Sequence, residues 1–205
     1  MISYYYYYRL YLPAVCRKQN FIKSHIISPL LLQEKVRTEP TAVKRWCRRF
    51  PNFDSSWKEI LHKISKTTSD KKLTEFGYKA FHRILVTNKE LKLIKIRNDD
   101  VCFQCKSPDS LEHTFLECPR NVQFYQEILS WFNTLNNIHI ELSIDQIFLQ
   151  NYPPPAINDD LRRRLDFLIL LIKRYTYSCK INEKQLNNLQ FTNKIKMQWK
   201  IENLT

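Results

Sequence analysis

Glycine is nearly absent: Gly77 is the only one in 205 residues. Rossmann fingerprints, P-loops and the nucleophile elbow each need two or more glycines, at positive φ or close against a phosphate. Nucleotide-dependent dehydrogenases, P-loop ATPases and α/β-hydrolases are therefore excluded. Long apolar runs are also missing. The longest, Phe167 to Ile172, is short and flanked by basic residues, well under the ~18 apolar residues of a membrane span. The amino-terminal ISYYYYYRLYLPAVC lacks a basic n-region and is interrupted by Arg9 and Pro13, which argues against a signal peptide. These absences predict an intracellular protein, nuclear or cytoplasmic, without membrane contact, whose thiols stay reduced.

Acidic residues are outnumbered, 20 against 33 Lys and Arg, for a net charge of +13. Residues 1–50 carry +8, 51–100 carry +4, 101–150 carry −4 and 151–205 carry +5. An excess of this size points to a polyanionic partner, RNA or DNA before membrane. The basic surface belongs to the two ends and the middle is acidic.

What is present reads as a mainly α protein, a small helical domain with an embedded knuckle-like Cys3His zinc site, followed by a C-terminal helical pair. Residues 1–45 form a basic, Tyr-rich leader without periodicity. Residues 46–150 hold the helical zinc-binding domain, and 151–205 a helical segment after the Pro-rich stretch NYPPPAI. Ser56 with Glu59 reads as a capping box ahead of Trp57, Ile60, Leu61 and Ile64 at helical spacing. Asp70 starts a helix expected to run to about Val86. Thr87 with Glu90 opens a short one ending near Ile94. No strand ladder is expected from alternation, and Lys95 to Val101 reads as the one extended candidate. Further helices are predicted over Val122–Leu135, from Ser143 to Leu149, from Asp159 to about Cys179, and from Glu183 to about Trp199 with Asn182 as cap. Trp57, Ile60, Phe76, Phe81, Ile84, Ile128 and Phe132 are the expected core.

Cys102, Cys105, His113 and Cys118 give C-x2-C-x7-H-x4-C within 17 positions. A C-x2-C turn supplies two thiolates from one tight bend, and zinc takes four such ligands in a tetrahedron. Asp109 or Ser110 is placed to cap a short helix carrying His113. In a straight α-helix a residue five positions on is rotated by about 140°, which would part His113 from Cys118. Pro119 disfavours helix at Cys118 and lets the chain turn that thiolate back. Four closed ligands leave no open position, so the expected cofactor is one structural zinc. Cys16, Cys47 and Cys179 lack partners at ligand spacing, and Cys179 reads as a buried thiol.

Residues from about Arg45 to Asn203 resemble the carboxy-terminal zinc-binding region of LINE-type (non-LTR) retrotransposon reverse transcriptases. The resemblance rests on FDSSWKEI (Phe53–Ile60), KLTEFGYKAFHRILVTNKEL (Lys72–Leu91) and CFQCKSPDSLEHTFLEC (Cys102–Cys118), with LDFLILLIKRYTYSCKI (Leu165–Ile181) similar to the helix that follows the zinc motif. Some family members separate the first pair by three residues, where this chain has two. The resemblance implies a part that follows the polymerase and helps bind the element's RNA or target DNA, here as a fragment of a truncated element. The polymerase itself is not expected, and the reading is non-catalytic. Asn98-Asp99-Asp100 offers adjacent aspartates without the aromatic that a palm hairpin requires, and reads as a polar turn.

For nucleic acid, Lys72, Lys79, His82 and Arg83 fall on one side of the helix from Asp70, opposite Leu73, Ala80 and Ile84. Arg162, Arg163 and Arg164 sit in the first turns of a helix, where the macrodipole disfavours cations, although Asp159, Asp160 and Asp166 lie close by in sequence. Phe103, between two ligands, is expected to be exposed and to stack on an unpaired base. The alternative is a zinc-stapled protein-interaction module whose apolar Leu165–Ile172 helix docks a partner.

Overall fold

The structure, a computed structural model, describes residues 41–50, 57–150 and 158–203. The Tyr-rich leader apart from its last residues, Cys16, the Ser56 cap and the NYPPPAI stretch lie outside the described residues. Pro40–Thr205 forms one compact unit. Among the described residues there are eight α-helices, one π-helical turn and no strand. The mainly α expectation holds.

The helices are α1 (Thr41–Arg49), α2 (Trp57–Thr67), α3 (Lys71–Phe81), α4 (Asn88–Leu93), the π-helical turn His113–Glu117, α5 (Pro119–Asn136), α6 (Ile144–Leu149), α7 (Asp159–Ile181) and α8 (Asn188–Asn203). Helix α1 begins inside the segment expected to be leader. Their starts follow local chemistry. The Asp70 carboxylate accepts from Lys72 N at 2.8 Å and Leu73 N at 3.3 Å, and Thr87/Glu90 and Ser143/Gln146 form capping boxes. Such caps satisfy N–H groups that have no partner within the helix.

The ends differ from expectation. Helix α3 stops at Phe81, five positions before Val86. Arg83 turns left-handed at φ 58°, while its N–H donates to Ala80 O and that of Ile84 to Lys79 O. This is a Schellman closure. It removes Ile84 from the expected core, leaving it 39% exposed. Helix α8 begins at Asn188 rather than Glu183. Asn182 ends α7 instead of capping α8, with Glu183 left-handed at φ 50°. The Asn187 side chain, which accepts from Gln190 N at 2.8 Å, caps the start of α8.

Helix α7 runs through the middle of the core. All residues from Leu165 to Lys173 are buried, packed against α2, α3, α6, α8 and the π-helical turn. The 151–205 segment thus shares one core with the residues before it. The Leu165–Ile172 face expected to dock a partner is used inside the fold. Ile60, Phe76, Phe81, Ile128 and Phe132 are buried as expected, and Trp57 packs at the edge. Gly77 sits where α3 crosses α2 and α7. A Cβ there would lie 2.7 Å from Ile64 Cγ2 and 3.0 Å from Leu170 Cδ1, so the one glycine serves close helix approach rather than a turn.

Candidate metal centre

The segment before the π-helical turn is a tight hairpin. Val101 bridges Pro108, Cys102 N donates to Ser107 O at 2.7 Å, and Lys106 N donates to Cys102 O at 2.9 Å. Lys106 closes the bend at φ 65°, a conformation that glycine adopts without strain. The hairpin buries Cys102 and leaves Cys105 half-exposed.

The second pair comes from the residues after Pro108. Of the two candidate caps Ser110 is the one used: its Oγ accepts from His113 N at 3.0 Å. From His113 the helix widens to π geometry. Cys118 N donates to His113 O at 2.8 Å, a bond spanning five residues in place of four. That wider turn sets residue i+5 back above residue i. Cys118 is then extended, at φ −64° and ψ 115°, as a residue before proline prefers. Pro119 takes the first position of α5, where its missing N–H costs nothing. The divergence expected for a straight helix is thus resolved at the backbone.

The four ligand atoms of Cys102, Cys105, His113 and Cys118 lie within 4.8 Å of one another. Cys105 Sγ is 3.2 Å from His113 Nε2, and Cys118 Sγ is 3.9 Å from Cys105 Sγ. A tetrahedron with metal–sulfur bonds of about 2.3 Å and metal–nitrogen bonds of about 2.0 Å has edges of about 3.5–3.8 Å. The cluster is thus close to closure around one ion, and the four side chains can hold a metal. Hydrogen bonding from Cys118 holds the Cys102 thiol well below its ordinary range, and the same contact pushes Cys118 up. A metal takes these cysteines as thiolates, so binding would release their protons.

A buried polar network lies behind the ligands. Asp109 Oδ2 accepts from Asn88 N at 2.6 Å and pairs with Lys180 Nζ at 2.9 Å. Its Oδ1 accepts from Thr114 Oγ1 at 3.0 Å. Asn88 Nδ2 donates to Val101 O and Asn121 Nδ2 to Thr114 O, each at 2.7 Å. One carboxylate therefore connects the hairpin, the π-helical turn, α4 and α7. The roles of Asn88, Asn121 and Lys180 were not legible in the sequence: Asn88 and Lys180 are single polar residues outside the motif, and nothing local marks Asn121, three residues after Cys118, as the partner of Thr114 O.

The residues expected to contact nucleic acid do not form a stripe. Lys72 is exposed. Lys79 pairs with Glu75 at 2.6 Å. Arg83 lies beyond the end of α3, pairs with Glu112 and stacks 4.5 Å from the Trp46 ring. Arg162 pairs with Asp159 at 3.4 Å, and Arg164 pairs with Asp160 at 2.9 Å and lies 5.0 Å over Trp199. Arg163 stays exposed. Phe103 is half-buried, with Lys106 Nζ 5.3 Å from its ring, so its full exposure is not observed. Asp99 and Asp100 pair with Arg97 and Lys92, as a polar turn would. Cys179 is buried, and Cys47 packs at the edge of the core.

Fold and site together define a mainly α-helical module with a Cys3His cluster able to hold one metal ion. No protein-family model matches the chain, and no curated protein matches it. Among the described residues no helix is long and apolar enough to cross a membrane.

Proposed function

We propose that the chain is a non-catalytic, zinc-stapled module that binds nucleic acid, in the manner of the carboxy-terminal region of LINE-type reverse transcriptases. The observation that carries this reading is the approach of three sulfurs and one imidazole nitrogen to within 4.8 Å. Three thiolates and one imidazole are a donor set suited to zinc, and four protein ligands leave no position for a substrate. Bound there, zinc would join the hairpin to the π-helical turn through Cys102 and Cys105 on one side and His113 and Cys118 on the other. The chain's own residues do the rest: Ser110 and Pro119 set the helix boundaries, and Asp109 holds the two ligand-bearing segments against α7. The net charge of +13 supports a polyanionic partner.

The rival protein-docking reading depended on the Leu165–Ile172 helix, and those residues are buried in the chain's own core. Fluorescence anisotropy of the zinc-loaded full chain, with labelled RNA and DNA at several salt concentrations, tests the proposal. Binding that weakens steeply with salt is expected. No binding to either nucleic acid at low salt would overturn it.

A further inference from the structure

Helix α1 carries Lys44, Arg45, Arg48 and Arg49 and no acidic residue. By the 100° step per residue, Lys44, Arg45 and Arg48 fall within one sector of about 100°. All three are exposed, and none makes an ion pair with a described residue. Of the cations expected from sequence, Lys79, Arg83, Arg162 and Arg164 are each paired with a carboxylate, and the exposed Lys72 and Arg163 stand singly on two different helices. The opposite face of α1 is fixed in the core. Ala42, Val43 and Trp46 are buried, the Trp46 indole donates to Phe81 O at 2.8 Å, and its ring meets Phe148 at 4.9 Å. Arg49 pairs with Glu117 at 2.7 Å, next in sequence to Cys118, which ties α1 to the segment that carries two of the candidate ligands.

We propose that the exposed face of α1, through Lys44, Arg45 and Arg48, is the surface that grips the phosphate backbone of nucleic acid. The proposal rests on the nucleic-acid reading above and adds its location. A membrane surface is the poorer match, because an interfacial helix must offer a free apolar face and that of α1 is buried. Lys44, Arg45 and Arg48 offer the positive charge that phosphate oxygens take up; arginine also reaches guanine edges, so equal affinity for probes of different sequence is the mark of a phosphate grip. RNA and DNA share the phosphate chemistry, and the relative affinity for the two probes identifies the source.

The test compares the zinc-loaded full chain with two triple variants that remove the same charge. One is Lys44→Gln/Arg45→Gln/Arg48→Gln. The other is Lys194→Gln/Lys196→Gln/Lys200→Gln, at exposed positions of α8. Probes are a labelled single-stranded RNA and a labelled DNA duplex, with helix content and zinc content checked in every variant. The α1 triple is expected to flatten the log-affinity against log-salt slope by about 2 on single strands and about 2.7 on duplex. Arg48→Gln alone should flatten it by about 0.7–0.9, and the α8 triple should leave it unchanged. An α1 triple with the parent's slope, or equal losses from both triples, would overturn the proposal while nucleic-acid binding itself stands. A parent that ignores both probes yet binds polyglutamate through α1 overturns the proposal and the functional reading together.

Discussion

Asp109 and Lys180 form the ion pair on which the metal centre leans, with side chains 0% and 4% exposed. Burial drives the Lys180 ammonium down from its ordinary value, and Asp109 opposes the shift. A pair like this adds little over an apolar replacement of both partners, but losing one partner leaves a buried charge unmatched. Lys180→Met should therefore cost about 3–5 kcal/mol in urea unfolding of the metal-loaded protein; a loss under about 1 kcal/mol would show that water reaches Asp109. Lys173 is a second buried cation. Its Nζ donates to Phe148 O at 2.9 Å and Gln150 Oε1 at 3.1 Å. Burial lowers it to about 7, with Asp166 opposing the shift and Lys63 adding to it. The folded chain therefore holds fewer protons than the unfolded one between about pH 7 and the ordinary lysine value of 10.5. This group's contribution to stability rises with pH across that window and is lost as pH falls to about 7. Between pH 7 and 9.5 the parent should gain about 2–3 kcal/mol relative to Lys173→Met, measured by denaturant unfolding at both pH values. Equal pH dependence of the two proteins would contradict it. At this scale the metal ligands were legible, because their spacing is local. The Asp109 network was not, since Asn88, Asp109 and Lys180 meet only through tertiary packing.

Helix ends show most clearly what a glycine-poor chain conceals. Five of the described helices end on a left-handed residue other than glycine: Gln150 ends α6 at φ 53°, and four helices close through Arg83, Lys95, Asn137 and Glu183, at φ 58°, 60°, 51° and 50°. The closures at Arg83, Lys95, Asn137 and Glu183 carry paired backbone bonds of Schellman type, such as Lys95 N to Lys92 O and Ile96 N to Leu91 O, both at 2.9 Å. The usual stop signal, a glycine just past the last turn, is absent. The stop after α3 and the late start of α8 were therefore invisible, whereas Asp70, Thr87/Glu90 and Ser143/Gln146 mark their starts in plain sequence. The left-handed conformation costs an ordinary residue about 1–2 kcal/mol, and glycine loses about 0.5–1 kcal/mol more entropy on folding. Lys95→Gly, at an exposed site, should thus raise stability by about 0.5–1 kcal/mol. Thermal unfolding checks this, and a lowered midpoint would show that the backbone there is not strained.

On the scale of the whole molecule, α7 and the Cys3His cluster each bring several elements of the Pro40–Thr205 unit together. Helix α7 supplies an almost fully buried stretch from Leu165 to Ile172, whose continuous hydrophobicity in the sequence signals burial on all sides as readily as a docking face. Its contacts with α2, α3, α6, α8 and the π-helical turn could not be read from periodicity, which gives a face but not its partner. The ligand set brings together a hairpin and a π-helical turn that the Asp109 network also links. Structural zinc contributes its binding energy to folding, so the centre and the core should lose order together.

Elemental analysis combined with chelation is the most direct test of the metal assignment. The purified full chain should carry about one zinc, and Cys105→Ser should lower that content. Removing the ion with a chelator should lower the thermal midpoint and reduce helical circular dichroism, with recovery when zinc is restored. A chain that carries no zinc when purified and after zinc is supplied, or one whose midpoint and helix content survive complete removal of the ion, would contradict the account.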